Sequence, residues 1–543
     1  MQKNSFVCLT GATAVASLWS FLPAGCRPQP KEETRNEKPL NIVYIMCDDH
    51  SYQTISAYDR TYLETPNIDR IGEEGARFTN SFVANSLSGP SRACLLTGKH
   101  SHKNGFTNNE HGIFDGSQQT VQQLLRDGGY TTAMIGKWHL VSEPTGFDHW
   151  EILTGQGDYY NPTFIQNGER VTCRGYVTNI VTDKAIDWLE HKRDDSKPFC
   201  LFIHHKAPHR TWMPDTCDLD LYKDVVYPLP DTFYDTYEGR EAAGLQEMSI
   251  IKDMNIVYDL KMADPEGEIH TPENPSLERS GRAMYLPTGT FRPGRMDAAQ
   301  QVAWDAHYGP IIKKFKQDSL TGNALAEWKY QQYMHDYCRV IHSVDRNVGR
   351  IYNYLAANGL LENTLVVYTS DQGFFMGEHG WFDKRFMYEE SFRTPLLVRL
   401  PDCIAGPRGG DLDGFVQNID HAATFLDLAG LPIPSDIQGE SYLPMLKSGK
   451  TGTRKSLYYH YYEYPAEHAV RRHYGVRTAR YSLMHFYNDI DEWELFDLRK
   501  DPKQLHNLYG QPGTRQIEKR LRKELNRLQT LYEDPIESVL RQQ

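Results

Sequence analysis

Downstream of its N-terminal segment, the 543-residue chain has no run of the ~20 uninterrupted apolar residues that a membrane-spanning helix needs. It also has no basic surplus. With 59 Lys and Arg against 71 Asp and Glu, the formal net charge is −12. That excludes the positive field on which non-specific nucleic-acid binding rests, though not a local cationic pocket for an anionic substrate. Its nine cysteines show no C-x-x-C spacing, which removes a zinc-ribbon reading. Seven of them lie outside Cys8 and Cys26, an odd number, so no disulfide framework follows. Burial as small hydrophobes is the expectation for most, including Cys47 and Cys94. No internal repeat is visible. Aromatic residues, by contrast, are plentiful: 33 Tyr and 9 Trp can build a core and also supply flat faces for pyranose rings. The length exceeds one ordinary core and implies a large domain with a smaller one.

The N-terminus reads as a targeting segment. Lys3 precedes a mostly apolar run from Phe6 to Leu22, interrupted by Thr10, Thr13, Ser17 and Ser20. Pro23-Ala24-Gly25-Cys26 and a polar stretch, Arg27 to Lys38, follow. A short apolar segment ending in small residues is a secretion signal rather than a span or a buried first helix. Ala24-Gly25-Cys26 resembles a bacterial lipoprotein cleavage site with Cys26 as the lipidated residue, although Pro23 departs from the apolar residue usual there. Two outcomes stay open, free secretion and a lipid anchor at Cys26. Either places the protein in the periplasm or at the cell surface.

Apolar strand-like runs alternate with helical patterns through the first 430 or so residues, the signature of an α/β fold with helices on both faces of a sheet. Asn41 to Met46, Phe199 to Ile203 and Leu365 to Thr369 read as fully buried strands. Val121 to Arg126, Ile180 to Lys192 and Glu327 to Asn358 read as amphipathic helices. The stretch 211–326 is polar and rich in Pro, Gly, Asp and Glu, and reads as an insertion near the substrate cleft. From about Tyr458 short strands follow (Ser456 to Tyr462, Tyr474 to Thr478, Tyr481 to Tyr487, Trp493 to Leu498), then a charged helix from about Thr514 to Tyr532. The expected organisation is a signal over 1–26, a linker over 27–38, a large domain over 39–440 and an antiparallel-sheet-plus-helix subdomain over 441–543.

Ligands in such sheets bind beyond the carboxyl ends of the strands. Two buried strands run there into Asp48-Asp49 and Asp371-Gln372. Carboxylates crowded at a strand end are costly unless a cation neutralises them. Hard oxygen donors with one amide suit Ca²⁺ or Mg²⁺ better than zinc. A single Asp pair after a strand also simply turns the chain, so the weight lies in two such pairs flanking one further motif. That motif is Ser88-Gly89-Pro90-Ser91-Arg92-Ala93-Cys94-Leu95-Leu96-Thr97-Gly98. Beyond it come Gly136-Lys137-Trp138-His139, Ala207-Pro208-His209 after a strand, and Lys384 with Tyr388, Glu389, Arg393 and Pro395.

In their order and spacing these elements resemble the formylglycine-dependent sulfatases of the alkaline phosphatase superfamily, in the serine-type form of anaerobic bacteria. The resemblance spans most of the chain. It implies an alkaline phosphatase-like fold, with a large central mixed β-sheet flanked by helices and a smaller C-terminal subdomain. It implies oxidation of Ser88 to formylglycine by a dedicated maturing enzyme, and a Ca²⁺ ion held by Asp48, Asp49, Ser88, Asp371 and Gln372, with Mg²⁺ as the alternative ion. Hydrating the aldehyde gives a geminal diol, and a metal-bound hydroxyl of low pKa is a nucleophile at neutral pH. The resulting hemiacetal sulfate then collapses without a second attack at sulfur. By the same resemblance Arg92 orients the diol, Lys137 and Lys384 bind sulfate oxygens, His139 is the base that triggers collapse and His209 is the general acid. His204 and His205 compete with His209 for that last role. Tyr388, Glu389 and Arg393 read as structural.

Three stretches resemble the N-acetylglucosamine-6-sulfatase branch: Asp48 to Tyr52, Asp371 to Trp381 and His473 to Thr478. That implies exo-acting removal of 6-O-sulfate from a sulfated glycan of the heparan, keratan or mucin type. Asp383 and Arg385, flanking Lys384, are expected to hydrogen-bond hydroxyls of the terminal sugar, with His473 as a second contact. The alternatives are a sulfatase for GalNAc-6-sulfate, a phosphate or phosphonate monoester hydrolase of the same superfamily, and a non-catalytic glycan-binding lipoprotein. No nucleic-acid partner is expected, and membrane contact only through an anchor at Cys26.

Overall fold

The computed structural model describes residues 40–262 and 295–536. The expected signal segment, Cys26 and the linker lie outside them. The strand Asn41–Cys47 alternates strictly between two cores. Ile42, Tyr44 and Met46 pack on one side of the sheet, and Val43, Ile45 and Cys47 on the other. Both faces are therefore covered by apolar residues, which is why the strand reads as continuously hydrophobic. It is parallel to Thr364–Ser370 on one side and to Phe199–His204 on the other. Thr131–Gly136 and His149–Leu153 continue the parallel set. Thr163–Gln166 and Glu169–Thr172 extend that edge antiparallel, and Leu396–Arg399, Ala76–Phe78 and Asp411–Leu412 close the other, giving ten strands in a mixed sheet.

Helices cover it. Gly322–Ala357, with Tyr337, Ile341 and Val344 inward, lies on one face, and Asp420–Leu428 packs Phe425 and Leu426 on the other. The smaller sheet is wholly antiparallel, in the order Ser456–Tyr461, His473–Thr478, Tyr481–Phe486, Glu492–Asp497. Helix Arg515–Leu531 seals it with Leu521, Leu525 and Leu528, an i, i+4, i+7 stripe against Val476 and Leu483. No described helix is long and apolar enough to cross a membrane.

Two elements depart from the sequence reading. Thr131–Gly136 is a central strand that was not anticipated, its last residues serving also as the start of the Gly-Lys-Trp-His element. Within 211–326, Ala298–Asp318 folds as a 21-residue helix. Its signal was an Asp-x-x-Gln box: Asp297 accepts hydrogen bonds from the Ala299 and Gln300 amides, while Gln300 Oε1 accepts from the Asp297 amide at 2.8 Å. All seven cysteines among the described residues are free, most of them buried.

Candidate active site

Because four neighbouring strands run parallel, their carboxyl ends deliver side chains to one edge. Asn41–Cys47 leads to Asp48 and Asp49, Thr364–Ser370 to Asp371 and Gln372, Thr131–Gly136 to Lys137, and Phe199–His204, through one turn, to His209. Gly136 has φ +110°, and a Cβ there would sit 2.0 Å from the His204 carbonyl oxygen, so only glycine allows the turn into Lys137. Ser88 opens the helix Ser88–Thr97, aimed at the same point. Its Oγ donates to Asp48 Oδ1 at 2.8 Å and accepts from Gln372 Nε2 at 3.1 Å.

Every carboxylate here faces a cation. Lys137 Nζ bonds Asp48 Oδ2, Lys384 Nζ lies 2.6 Å from Asp49 Oδ2, and Arg92 bonds Asp371 Oδ2 through Nε and Nη2 at 3.1 and 2.9 Å. Arg92 Nη1 also donates to the Lys137 carbonyl at 2.7 Å. Arg92 therefore braces Asp371 and the Lys137 backbone, and reaches the Ser88 partner Asp48 only at 3.9 Å. The three pairs balance in charge, yet burial and the neighbouring Asp48 push Asp371 up to about 8. Burial likewise raises Asp49, against the pull of Lys384. For Asp48 burial works upward, but the charges of Lys137 and Arg92 hold it well below the usual range.

The donors fit a hard divalent cation. Oxygens of Asp48 and Asp49 and a ring nitrogen of His209 lie within 4.8 Å of one another. Gln372 Oε1 is a buried acceptor with no hydrogen-bond partner, a costly arrangement that a cation would satisfy. Asp371 stands beside them, its Oδ1 accepting the Asp49 amide at 3.1 Å.

His139 and His209 are both held neutral by burial and by the Lys137 charge, well below the ordinary histidine range. His139 Nδ1 is buried without a partner, in a backbone turn at φ 57°. His209 Nδ1 lies 2.7 Å from the Arg210 carbonyl. A carbonyl only accepts, so the Nδ1 carries the proton, leaving Nε2 bare and 3.7 Å from Asp49 Oδ2. His204 and His205 do not compete: His204 Nδ1 sits against Arg92, and His205 is enclosed with both ring nitrogens unpartnered.

A cavity of about 220 Å³ opens onto Ser88, His209 and Lys384, with Asp383 and Arg385 in its wall. Asp383 and Arg385 both hold positive φ, at 77° and 92°, and are ion-paired with each other. His473 is not there. Its Nε2 accepts the Met387 amide at 3.1 Å, its Nδ1 faces the Arg471 carbonyl at 2.8 Å, and its ring is packed among Phe386, Tyr459 and Phe486. With both nitrogens spent on backbone, it is a core histidine, and the expectation of a sugar contact is corrected. The histidine that reaches this wall is His468, whose Nε2 lies 3.3 Å from Asp383 Oδ2. Sequence reasoning also missed Gln156, which accepts from Lys137 Nζ at 2.5 Å, and Asn109, Glu463 and Arg210 on the cavity wall. Asn109, Gln156 and Glu463 sit in loops with no motif around them, and Arg210 directly follows the Ala207-Pro208-His209 element; the Asn109 amide bond to Glu463 (2.9 Å) and the Arg210–Asp259 pair are among the contacts that hold them.

A family model, "Sulfatase", matches residues 40–431, and a second, "N-sulphoglucosamine sulphohydrolase, C-terminal", matches 377–531. The chain belongs to the sulfatase family. This sulfatase is 48% identical over 530 residues to the N-acetylglucosamine-6-O-sulfatase of Bacteroides thetaiotaomicron, covering 96% of this chain and 91% of that one. A solved structure in complex with its substrate D-glucosamine-2-N,6-O-disulfate superposes with a TM-score of 0.85 at 49% identity, covering 92% of this sulfatase and 99% of the other chain. The phosphonate monoester hydrolase of Agrobacterium radiobacter, at 18% identity and a TM-score of 0.64 over 91% of this chain and 96% of that one, shares the fold alone.

Proposed function

We propose that this sulfatase removes the 6-O-sulfate from a terminal N-acetylglucosamine of a glycosaminoglycan or mucin-type glycan. The 48% identity to an N-acetylglucosamine-6-O-sulfatase, carried across nearly the whole chain, is the observation that bears the reading. Exo action fits a small cavity, of about 220 Å³, in whose wall the buried Ser88 lies.

Ser88, oxidised to formylglycine by a maturing enzyme, is the nucleophile in this reading. A divalent cation, Ca²⁺ first and Mg²⁺ second, would be held by Asp48, Asp49, Asp371, Gln372 and residue 88, and would lower the pKa of the hydroxyl at position 88. Since three carboxylates are already matched by Lys137, Lys384 and Arg92, such a cation leaves a positive excess suited to a sulfate ester. Lys137 and Lys384 bind the sulfate oxygens, and Lys384 offsets charge growing on the leaving oxygen. His139, neutral with a buried and unpartnered Nδ1, takes the proton whose loss frees the sulfate. His209 must gain a proton at Nε2 before donating it to the leaving oxygen, and an anionic ester beside it favours that. Asp383 and Arg385 hydrogen-bond the sugar hydroxyls. Export to the periplasm or cell surface, free or anchored at Cys26, belongs to the same proposal.

The test is to co-express the chain with a serine-type maturing enzyme and confirm formylglycine at position 88 by the ~2 mass-unit loss that removal of two hydrogens from Ser entails. Sulfate release is then measured from GlcNAc-6-sulfate, GalNAc-6-sulfate and a phosphate monoester, with Ser88→Ala as control. Preference for GlcNAc-6-sulfate is expected. Preference for GalNAc-6-sulfate would sink the roles of Asp383 and Arg385, and phosphate turnover without desulfation would sink the substrate assignment altogether.

A further inference from the structure

A second cavity, of about 290 Å³, lies immediately behind one wall of the active cavity. Neighbouring residues line the two: Asn108 and Tyr462 face the second cavity, Asn109 and Glu463 the first. The partition is held by the Asn109 amide donating to Glu463 Oε1 at 2.9 Å.

The second cavity is lined by aromatic rings, one carboxylate and one guanidinium. Its aromatic floor is the stacked pair His460 and Tyr462, with ring centroids 3.8 Å apart. Its one carboxylate is already engaged. Asp534 Oδ2 accepts from Tyr458 OH at 2.7 Å and faces His460 Nδ1 at 2.7 Å and His102 Nδ1 at 3.2 Å. Its guanidinium is not. Arg472 donates Nη2 to the Tyr464 carbonyl at 2.6 Å, has no ion pair among the described residues, and has a buried Nε without a hydrogen-bond partner. In a chain of net charge −12, where the buried Arg92, Arg210, Arg385 and Arg454 are each matched by a carboxylate, a half-buried unmatched guanidinium lining a cavity is an exception. An N–H left unmade costs stability, and a carboxylate or sulfate is the partner a guanidinium edge fits best. Asn488, exposed on the rim at φ 79°, adds an amide with no hydrogen bond among the described residues.

We propose that this cavity is a second subsite, which takes the next saccharides of the glycan and reads an anionic group on them through Arg472. The inference rests on the proposed glycan desulfation. It adds that the enzyme recognises more than the terminal sugar.

The experiment uses the matured, Ca²⁺-loaded enzyme and four substrates: GlcNAc-6-sulfate itself, and oligosaccharides ending in that sugar followed by a uronate-containing unit, an O-sulfated neutral hexose or a plain neutral hexose. Wild type is expected to show a kcat/KM about tenfold higher on at least one anionic oligosaccharide than on the monosaccharide, the size of one charge-assisted contact. Arg472→Gln should abolish that advantage through KM and leave the monosaccharide unchanged, Arg472→Lys should restore part of it, and Asn488→Ala should weaken it. Which anionic arm gains identifies carboxylate or sulfate as the group read. Equal kcat/KM on monosaccharide and anionic oligosaccharides in wild type overturns the subsite, as does an equal loss on all substrates in a folded Arg472→Gln. Should that variant not fold, the wild-type comparison and Asn488→Ala still decide. Absence of turnover on every 6-sulfated substrate would instead count against the proposed function, and titration of the uronate oligosaccharide into unmodified protein, with and without Asn488→Ala, would then read the subsite by itself.

Discussion

Replacing Gln372 with glutamate isolates the demand of this site for a cation, because the change is nearly isosteric and alters the head group's donors and its charge. Gln372 Nε2 now donates to Asp49 Oδ1 at 2.5 Å and to Ser88 Oγ at 3.1 Å. Glutamate at that position removes both donors and sets a carboxylate against a carboxylate. Losing a hydrogen bond to a charged group costs about 1.5–3 kcal/mol. Two like charges about 4 Å apart at an effective dielectric of 20 repel by about 4 kcal/mol. Protonating an ordinary carboxylate at neutral pH instead costs about 3–4 kcal/mol, and less for Asp49, which burial already raises, so that route reduces the penalty. A loss of roughly 5–6 kcal/mol in metal-free protein is a large share of the 5–15 kcal/mol typical of a fold. Bound cation reverses the sign of the interaction, since the extra carboxylate becomes a ligand. At 100 times its Kd a ligand stabilises by about 2.7 kcal/mol, and tenfold tighter binding adds about 1.4 kcal/mol. Thermal unfolding of wild type and Gln372→Glu in EGTA and in saturating Ca²⁺ reads this directly. The variant should melt well below wild type in EGTA, and Ca²⁺ should shift it further than it shifts wild type. Equal melting in EGTA, or equal Ca²⁺ shifts, would refute the reasoning.

Three further outcomes follow from the same geometry. His209→Ala should lower kcat on a sugar 6-sulfate by 10²–10³-fold or so, the scale of general acid catalysis, but much less on an aryl sulfate whose leaving group needs no proton; equal losses on both substrates would remove His209 from the acid role. Asp336 is buried with Lys261 at 2.8 Å and Arg339 at 3.1 Å, so Asp336→Ala strands buried cations and should destabilise by about 3–5 kcal/mol in denaturant melts, while Asp336→Leu with Lys261→Met recovers most of it. A cost no larger than that of the exposed Lys314–Asp318 pair would contradict this reading. His50, His100, His421 and His473 are each pushed by burial down to about 3. The unfolded chain takes up their protons near pH 6.5 and the folded chain does not until about pH 3, so stability is lost as pH falls through that window, by about 1.4 kcal/mol per pH unit per histidine; a melting temperature flat from pH 6.5 to 5 would count against their burial as neutral groups.

What the sequence alone determined is what local chemistry encodes. The buried strands are uninterrupted apolar runs, and the acidic pairs directly follow two of them in the chain, so their place at one sheet edge was legible before any coordinates. Ser88, Lys137, His139, His209 and Lys384 sit in short motifs whose residue types leave little freedom. The strand Thr131–Gly136 is not legible because Thr131 and Thr132 dilute its apolar run, although in the sheet Thr132 is buried and Thr131 partly covered. Only the tertiary structure decided which histidine of the C-terminal part approaches the cavity wall. His473 and His468 are five residues apart, but pairing of His473 with Tyr461 and Phe486 turns its ring into the aromatic core, while His468, at φ 70° in the preceding turn, faces Asp383. The same holds for Asn109, Gln156 and Glu463, and for Arg472 behind the partition. Asn109 and Glu463 meet across 354 residues of chain, and all four sit in loops whose place beside a cavity is set by other segments, so no periodicity or spacing in their own neighbourhood announces them.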